Sequence, residues 1–124
     1  MMEYQFCMQD FKVNILGSEW SVKFGNKEAY PSLTNGDGYT DLSIREIVVD
    51  DMKASRGQIG IKADLESYQK HVVRHEIIHA FLLESGLDSN SNSADSWAVN
   101  EEMVDWFAIQ SPKIFKVFSE LELM

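Results

Sequence analysis

Apolar and polar residues alternate along Phe11-Lys12-Val13-Asn14-Ile15-Leu16 and again along Trp20-Ser21-Val22-Lys23-Phe24. A period of two marks a half-buried strand, so the two runs joined through Gly17-Ser18-Glu19 predict a β-hairpin. Positions 25 to 38 are rich in Gly, Asn, Asp, Ser and Pro, which is loop chemistry. β-prone residues return in Tyr39-Thr40-Asp41-Leu42 and in Ile44-Arg45-Glu46-Ile47-Val48-Val49, predicting two short strands that meet near Ser43. The polar stretch from Asp50 to Lys62, with Gly57 and Gly60, reads as a connection.

The pattern then changes period. A long helix is expected from about Leu65 to Ser85, with Asp64 as N-cap and Gly86 as the residue that closes it. Val72, Val73, Ile77, Ile78, Ala80, Phe81, Leu82 and Leu83 wrap widely around it, which predicts a helix buried in the middle of the fold. Leu87 to Ser96 is Ser-, Asn- and Asp-rich and reads as a connection. A second helix is expected from about Trp97 to Gln110, stopped by Pro112, and a third, amphipathic one from Lys113 to Leu123. Strands first and helices afterwards predict an α+β fold: a small antiparallel or mixed sheet packed on a buried helix, followed by two further helices.

The length of 124 residues fits one domain over 1–124, large enough to bury a core without staples. An apolar fraction of 44% and a charged fraction of 25% are those of a soluble globular chain. The single cysteine, Cys7, excludes an internal disulfide and a thiolate zinc site, and fits a reducing cytoplasm. A net charge of −9 with no basic stripe argues against a nucleic-acid partner. Lys62, Lys70 and Arg74 read as a solvated face. No basic-then-apolar leader opens the chain and no apolar run reaches the length of a membrane span, so no membrane partner is expected.

The candidate chemistry lies inside the long helix, at His75-Glu76-Ile77-Ile78-His79. Histidines four residues apart share a helix face, about 6 Å apart along the axis, so both imidazoles can reach one metal ion. A glutamate between them can hold a water beside that ion, which makes H-E-x-x-H a zinc-protease signature when it sits on a helix. A catalytic zinc takes three protein ligands and keeps a position open. No histidine follows His79, so the third ligand is sought among the carboxylates of the next helix. Glu101 and Asp105 are four apart and share a face; one can bind metal while the other orients a ligand imidazole. Glu102 is the neighbouring alternative, but only Glu101 has Asp105 one turn on.

His75-Glu76-x-x-His79 followed by Glu101-x-x-x-Asp105 resembles the gluzincin pattern of thermolysin-like zinc metallopeptidases. That resemblance implies His75, His79 and Glu101 as zinc ligands, Glu76 as general base and Asp105 as the partner of His75. The short chain, the strands before the zinc helix and the string Glu101-x-x-x-Asp105-x-Phe107-Ala108 look closer to the ImmA/IrrE-type metallopeptidases of phages and mobile elements. This likeness covers roughly Tyr39 to Pro112 and implies a zincin hydrolysing a protein or peptide substrate; the single thiol and the lack of a leader or span predict a cytoplasmic one. The alternative is a phage-type accessory or assembly protein that keeps the zincin fold and acts by binding a partner. A cell-wall amidase is a weaker option. In zincins an edge strand beside the zinc helix aligns the peptide, and Ile44 to Val49 is the segment nominated here. Tyr39 and Tyr68 are the candidate oxyanion donors.

The remaining conspicuous residues have plainer readings. His71 is rotated about 80° from His79 and is expected at the rim. Trp20, Trp97 and Trp106 are expected as core or interface anchors, and Met103 and Phe107 as core. Cys7 is far from any histidine in sequence, which disfavours a nucleophile. Asn35-Gly36-Asp37-Gly38 lacks the acidic ligand count of a calcium loop.

Overall fold

The computed structural model describes residues 8–54, 64–87 and 97–124. Cys7, Lys62, the side chain of Trp97 and most of the two predicted connections lie outside them. Strands β1 (Phe11–Ile15) and β2 (Ser18–Gly25) form the expected hairpin. Its turn is tighter than predicted. Leu16 and Gly17 both take positive φ, 52° and 92°, the geometry that matches the right-handed twist of the flanking strands.

Strand β3 (Gly38–Asp41) turns back through Arg45, at φ 48°, into β4 (Glu46–Asp50). β4 pairs antiparallel with β3 and parallel with β2, giving a mixed sheet ordered β1-β2-β4-β3. The strand nominated for substrate alignment is therefore interior. Ile47, Val48 and Val49 are all fully buried, as an inside strand covered on both faces requires. Among the described strands, β3 is the sheet edge that lies beside the helix. Between β2 and β3, a 3-10 turn over Pro31–Asn35 packs against β3 and β4 and buries Leu33.

Helix α1 (Leu65–Glu84) is capped at both ends by its own sequence. Asp64 Oδ1 accepts the Ser67 amide at 3.0 Å. At the other end Gly86, at φ 86°, sends its amide to Leu83, and Leu87 reaches back to Leu82. The buried residues Gln69, Val72, Val73, Glu76 and Ala80 follow helical spacing and lie on the sheet. Their core partners include Ile15, Trp20, Val22, Ile47, Val49 and Met52. The helix is not buried all round, because Ile77 and Ile78 are half-buried and Phe81 is exposed.

A 3-10 turn, Trp97–Val99, leads into α2 (Glu101–Glu120), whose N-cap Asn100 accepts the Met103 amide at 2.8 Å. One continuous helix stands where two were expected, with Pro112 inside it. Proline lacks the N–H that the Ala108 carbonyl would otherwise accept, and its ring crowds that carbonyl. Arg74 of α1 supplies the missing donor: its Nε lies 2.6 Å from Ala108 O. Arg74 is thus an interhelical strut rather than part of a solvated face. Phe107 also departs from the core position expected of it, since it is exposed, and Trp106, exposed as well, is no core anchor. No described helix is long and apolar enough to cross a membrane.

Candidate metal centre

Three donors converge where α1 passes the start of α2. His75, His79 and Glu101 each place one ligand atom within 4.8 Å of the other two. His75 Nε2 is 3.3 Å from Glu101 Oε2, and His79 Nε2 is 2.7 Å from Glu101 Oε1. Ligands held at about 2 Å around a tetrahedral ion sit roughly 3.3 Å from one another, so the spacing suits a small cation. Glu101 rather than Glu102 occupies this place. The N-cap at Asn100 starts α2 so that Glu101 is its first helical residue, where the helix dipole also favours a carboxylate.

Both imidazoles are held from behind. His79 Nδ1 lies 2.6 Å from the carbonyl of Ala98, an acceptor that requires this nitrogen to carry the proton. That leaves Nε2 as the nitrogen turned toward Glu101. His75 Nδ1 lies 2.9 Å from Asp105 Oδ1, which orients that ring in the same way. His71 is more than a rim residue, because its Nε2 lies 2.7 Å from the same Asp105 oxygen. Partial burial raises the Asp105 pKa, but the hydrogen bonds to His71 and His75 outweigh it and hold the carboxyl below its ordinary value.

Glu76 stands on the buried side of α1, beneath the histidines. Burial pushes its pKa above the ordinary value, against the lowering effects of Thr40 and the two imidazoles. The Thr40 hydroxyl, on edge strand β3, is 2.8 Å from Glu76 Oε1 and 3.1 Å from the Glu76 carbonyl. Gly38, two residues earlier, makes this approach possible. A Cβ there would stand 2.9 Å from Val72 Cγ1 and 3.1 Å from Glu76 Cγ. Neither Thr40 nor Gly38 stands out in the sequence, because their importance comes from β3 lying across α1.

Two open cavities flank the centre and share Gly38, Glu76 and Glu101. One of about 530 Å³ is lined by Asp37, Tyr68, His71 and Asp105; the other, about 250 Å³, by Tyr39, Leu83, Ala98 and Val99. The two candidate tyrosines thus fall on opposite sides. Tyr68 donates its hydroxyl proton to Asp37, and burial with that bond raises its pKa strongly. Burial is also the main cause of the raised Tyr39 pKa, followed by Glu46.

Comparison of the chain with protein-family models, with curated proteins and with solved structures finds no match in any of the three. The chemistry of this centre is accordingly read from its own atoms.

Proposed function

We propose that the protein is a zinc-dependent hydrolase of peptide bonds in a protein or peptide substrate. The observation that carries this reading is the convergence of His75 Nε2, His79 Nε2 and the Glu101 carboxylate beside the buried carboxylate of Glu76. Two imidazoles and one carboxylate, with an open side, form a donor set that zinc takes in catalytic sites. The side chain of Glu101 is 73% exposed, so the centre opens to solvent on that side.

A zinc ion held by His75, His79 and Glu101 would lower the pKa of water and polarise a scissile carbonyl. The chain's own residues then supply the proton traffic. Glu76, its pKa raised by burial, takes a proton from the attacking water and later passes it to the leaving amine. Thr40 holds Oε1, which leaves Oε2 for that water. An extended peptide adding to β3, the edge of the described sheet, would run beside the centre and past the cavities that Gly38, Tyr39 and Thr40 line. In this reading the sheet, α1 and α2 form a small zincin-type arrangement like that of the ImmA/IrrE-type peptidases, working in the cytoplasm.

Metal analysis joined to a peptide-cleavage assay tests the proposal. Wild type and Glu76→Gln are expected to carry equimolar zinc and His79→Ala little, while only wild type cleaves. A chain that takes up no zinc when it is offered sinks the metal reading. A zinc-loaded wild type that cleaves no member of a broad peptide library sinks the peptidase and leaves a partner-binding protein.

A further inference from the structure

The second half of α2 carries an apolar face that no described part of the chain covers. Phe107, Val117, Phe118 and Leu121, on or beside this face, are between 39% and 62% exposed. Along this face Met103, Phe107, Gln110, Ile114, Val117 and Leu121 recur at alternating spacings of four and three. That is the seven-residue repeat of a helix packed on another helix. α1 does not take up the whole stripe, because the α2 residues buried against the domain are Val104 and Ala108, roughly 100° and 140° around the helix from the line of Met103 and Leu121 at the stripe's centre. Beside the stripe an apolar groove of about 510 Å³ runs between the helices, lined by Ile77, Ile78, Phe81, Met103, Phe107 and Phe115.

We propose that this face binds the same face of a second copy of the chain, the two α2 helices running antiparallel about a twofold axis near Phe115 and Lys116. The charges beside the stripe select that occupant. Lys113 and Glu120 are seven residues apart and flank the stripe on the same side. Antiparallel pairing about this axis brings Lys113 of each copy to Glu120 of the other, twice by symmetry. The same register sets Ile114 against Val117 across the seam. Parallel pairing would put Lys113 beside Phe118 and leave Glu120 with only Lys116 of its own helix, 3.9 Å away. Phe118 and Leu121 of the second copy would then cover the groove near Phe81 and Phe107. An interface that uses one patch on both partners is also the commonest way for a chain to self-associate. A net charge of −9 disfavours the other obvious occupant, an anionic lipid surface. Glu101 and Asp105 lie on the opposite side of α2, so this proposal stands apart from the metal reading.

Sedimentation equilibrium of the whole chain tests it. The wild type is expected to be a dimer, and Val117→Glu and Leu121→Glu monomers with unchanged circular dichroism, since both side chains are exposed in the single chain. Lys113→Glu or Glu120→Lys alone should weaken association roughly tenfold, attraction becoming repulsion at two symmetric sites. The double reversal, or a mixture of the two single variants, should recover it. A monomeric wild type, a dimer that survives Val117→Glu, or charge reversals that do not compensate each other would overturn the proposal. So would a monomer that sediments with phosphatidylcholine–phosphatidylserine vesicles, which assigns the face to lipid.

Discussion

Gly38 shows how much a single residue controls at this centre. The missing side chain lets β3 lie close enough to α1 for Thr40 to hold the Glu76 carboxylate. An added methyl meets Val72, the stem of Glu76 and, at 3.3 Å, the Val48 carbonyl, which is backbone and cannot step aside. Gly38→Ala is therefore expected to cost about 1–3 kcal/mol of stability, as overpacking does. Under the proposed function it should also lower turnover by the zinc-loaded protein while zinc content stays at the wild-type level, since the atoms nearest the added methyl belong to Val72, Glu76 and Val48 and not to a metal ligand. Chemical denaturation, metal analysis and a rate assay on one preparation check this together; wild-type stability and rate would refute it.

At the scale of elements, the two helices are coupled through a defect in one of them. Pro112 leaves the buried Ala108 carbonyl without its helical donor, and Arg74 replaces that donor from α1. Arg74→Met should therefore destabilise the protein by about 1–3 kcal/mol, the cost of a buried acceptor left unmade. In a Pro112→Ala background the residue at 112 regains an N–H, and the same Arg74 change should cost less. A double-mutant cycle measures the difference. Additive effects would show that Arg74 and Pro112 act independently. Proline is a reasonable stop signal when only neighbours in sequence are considered, and here a residue 38 positions upstream overrides it.

Across the whole molecule, the far end of α1 is tied to the sheet by Glu84. Its carboxylate accepts Arg45 Nε at 2.6 Å, Arg45 Nη2 at 3.2 Å and Trp20 Nε1 at 2.9 Å. The hydrogen bonds from Arg45 and then Trp20 draw its pKa down to about 2, from an ordinary 4.5. A carboxyl whose pKa is depressed by folding stabilises the fold above its unfolded value, and that contribution disappears as pH falls through the folded value. Acid unfolding of the wild type should thus include a component between pH 4.5 and about 2 that Glu84→Gln removes. Melting temperatures of the two proteins should differ at neutral pH and converge toward pH 2. Parallel curves across that window would rule out Glu84 as the source.

What the sequence determined by itself is what local spacing can carry. The hairpin, the strands of the β3–β4 unit and both ends of α1 follow from alternation, caps and a closing glycine. His75, Glu76 and His79 share a neighbourhood because a helix puts them there, and Glu101 and Asp105 because another helix does. Whether the two neighbourhoods meet was not written in either spacing; the packing of α2 on α1 brings them together. Tertiary structure alone decided strand order, and with it the place of β3 at the edge of the described sheet. A clue existed, since the unbroken apolar run Ile47-Val48-Val49 is that of a strand covered on both faces. It also decided that Thr40, Gly38 and the Ala98 carbonyl serve the centre, that α2 continues through Pro112, and that Phe107 lines a groove instead of the core. Each of these depends on a partner distant in the chain, and a periodic pattern records only which side of an element is apolar, never what lies against it.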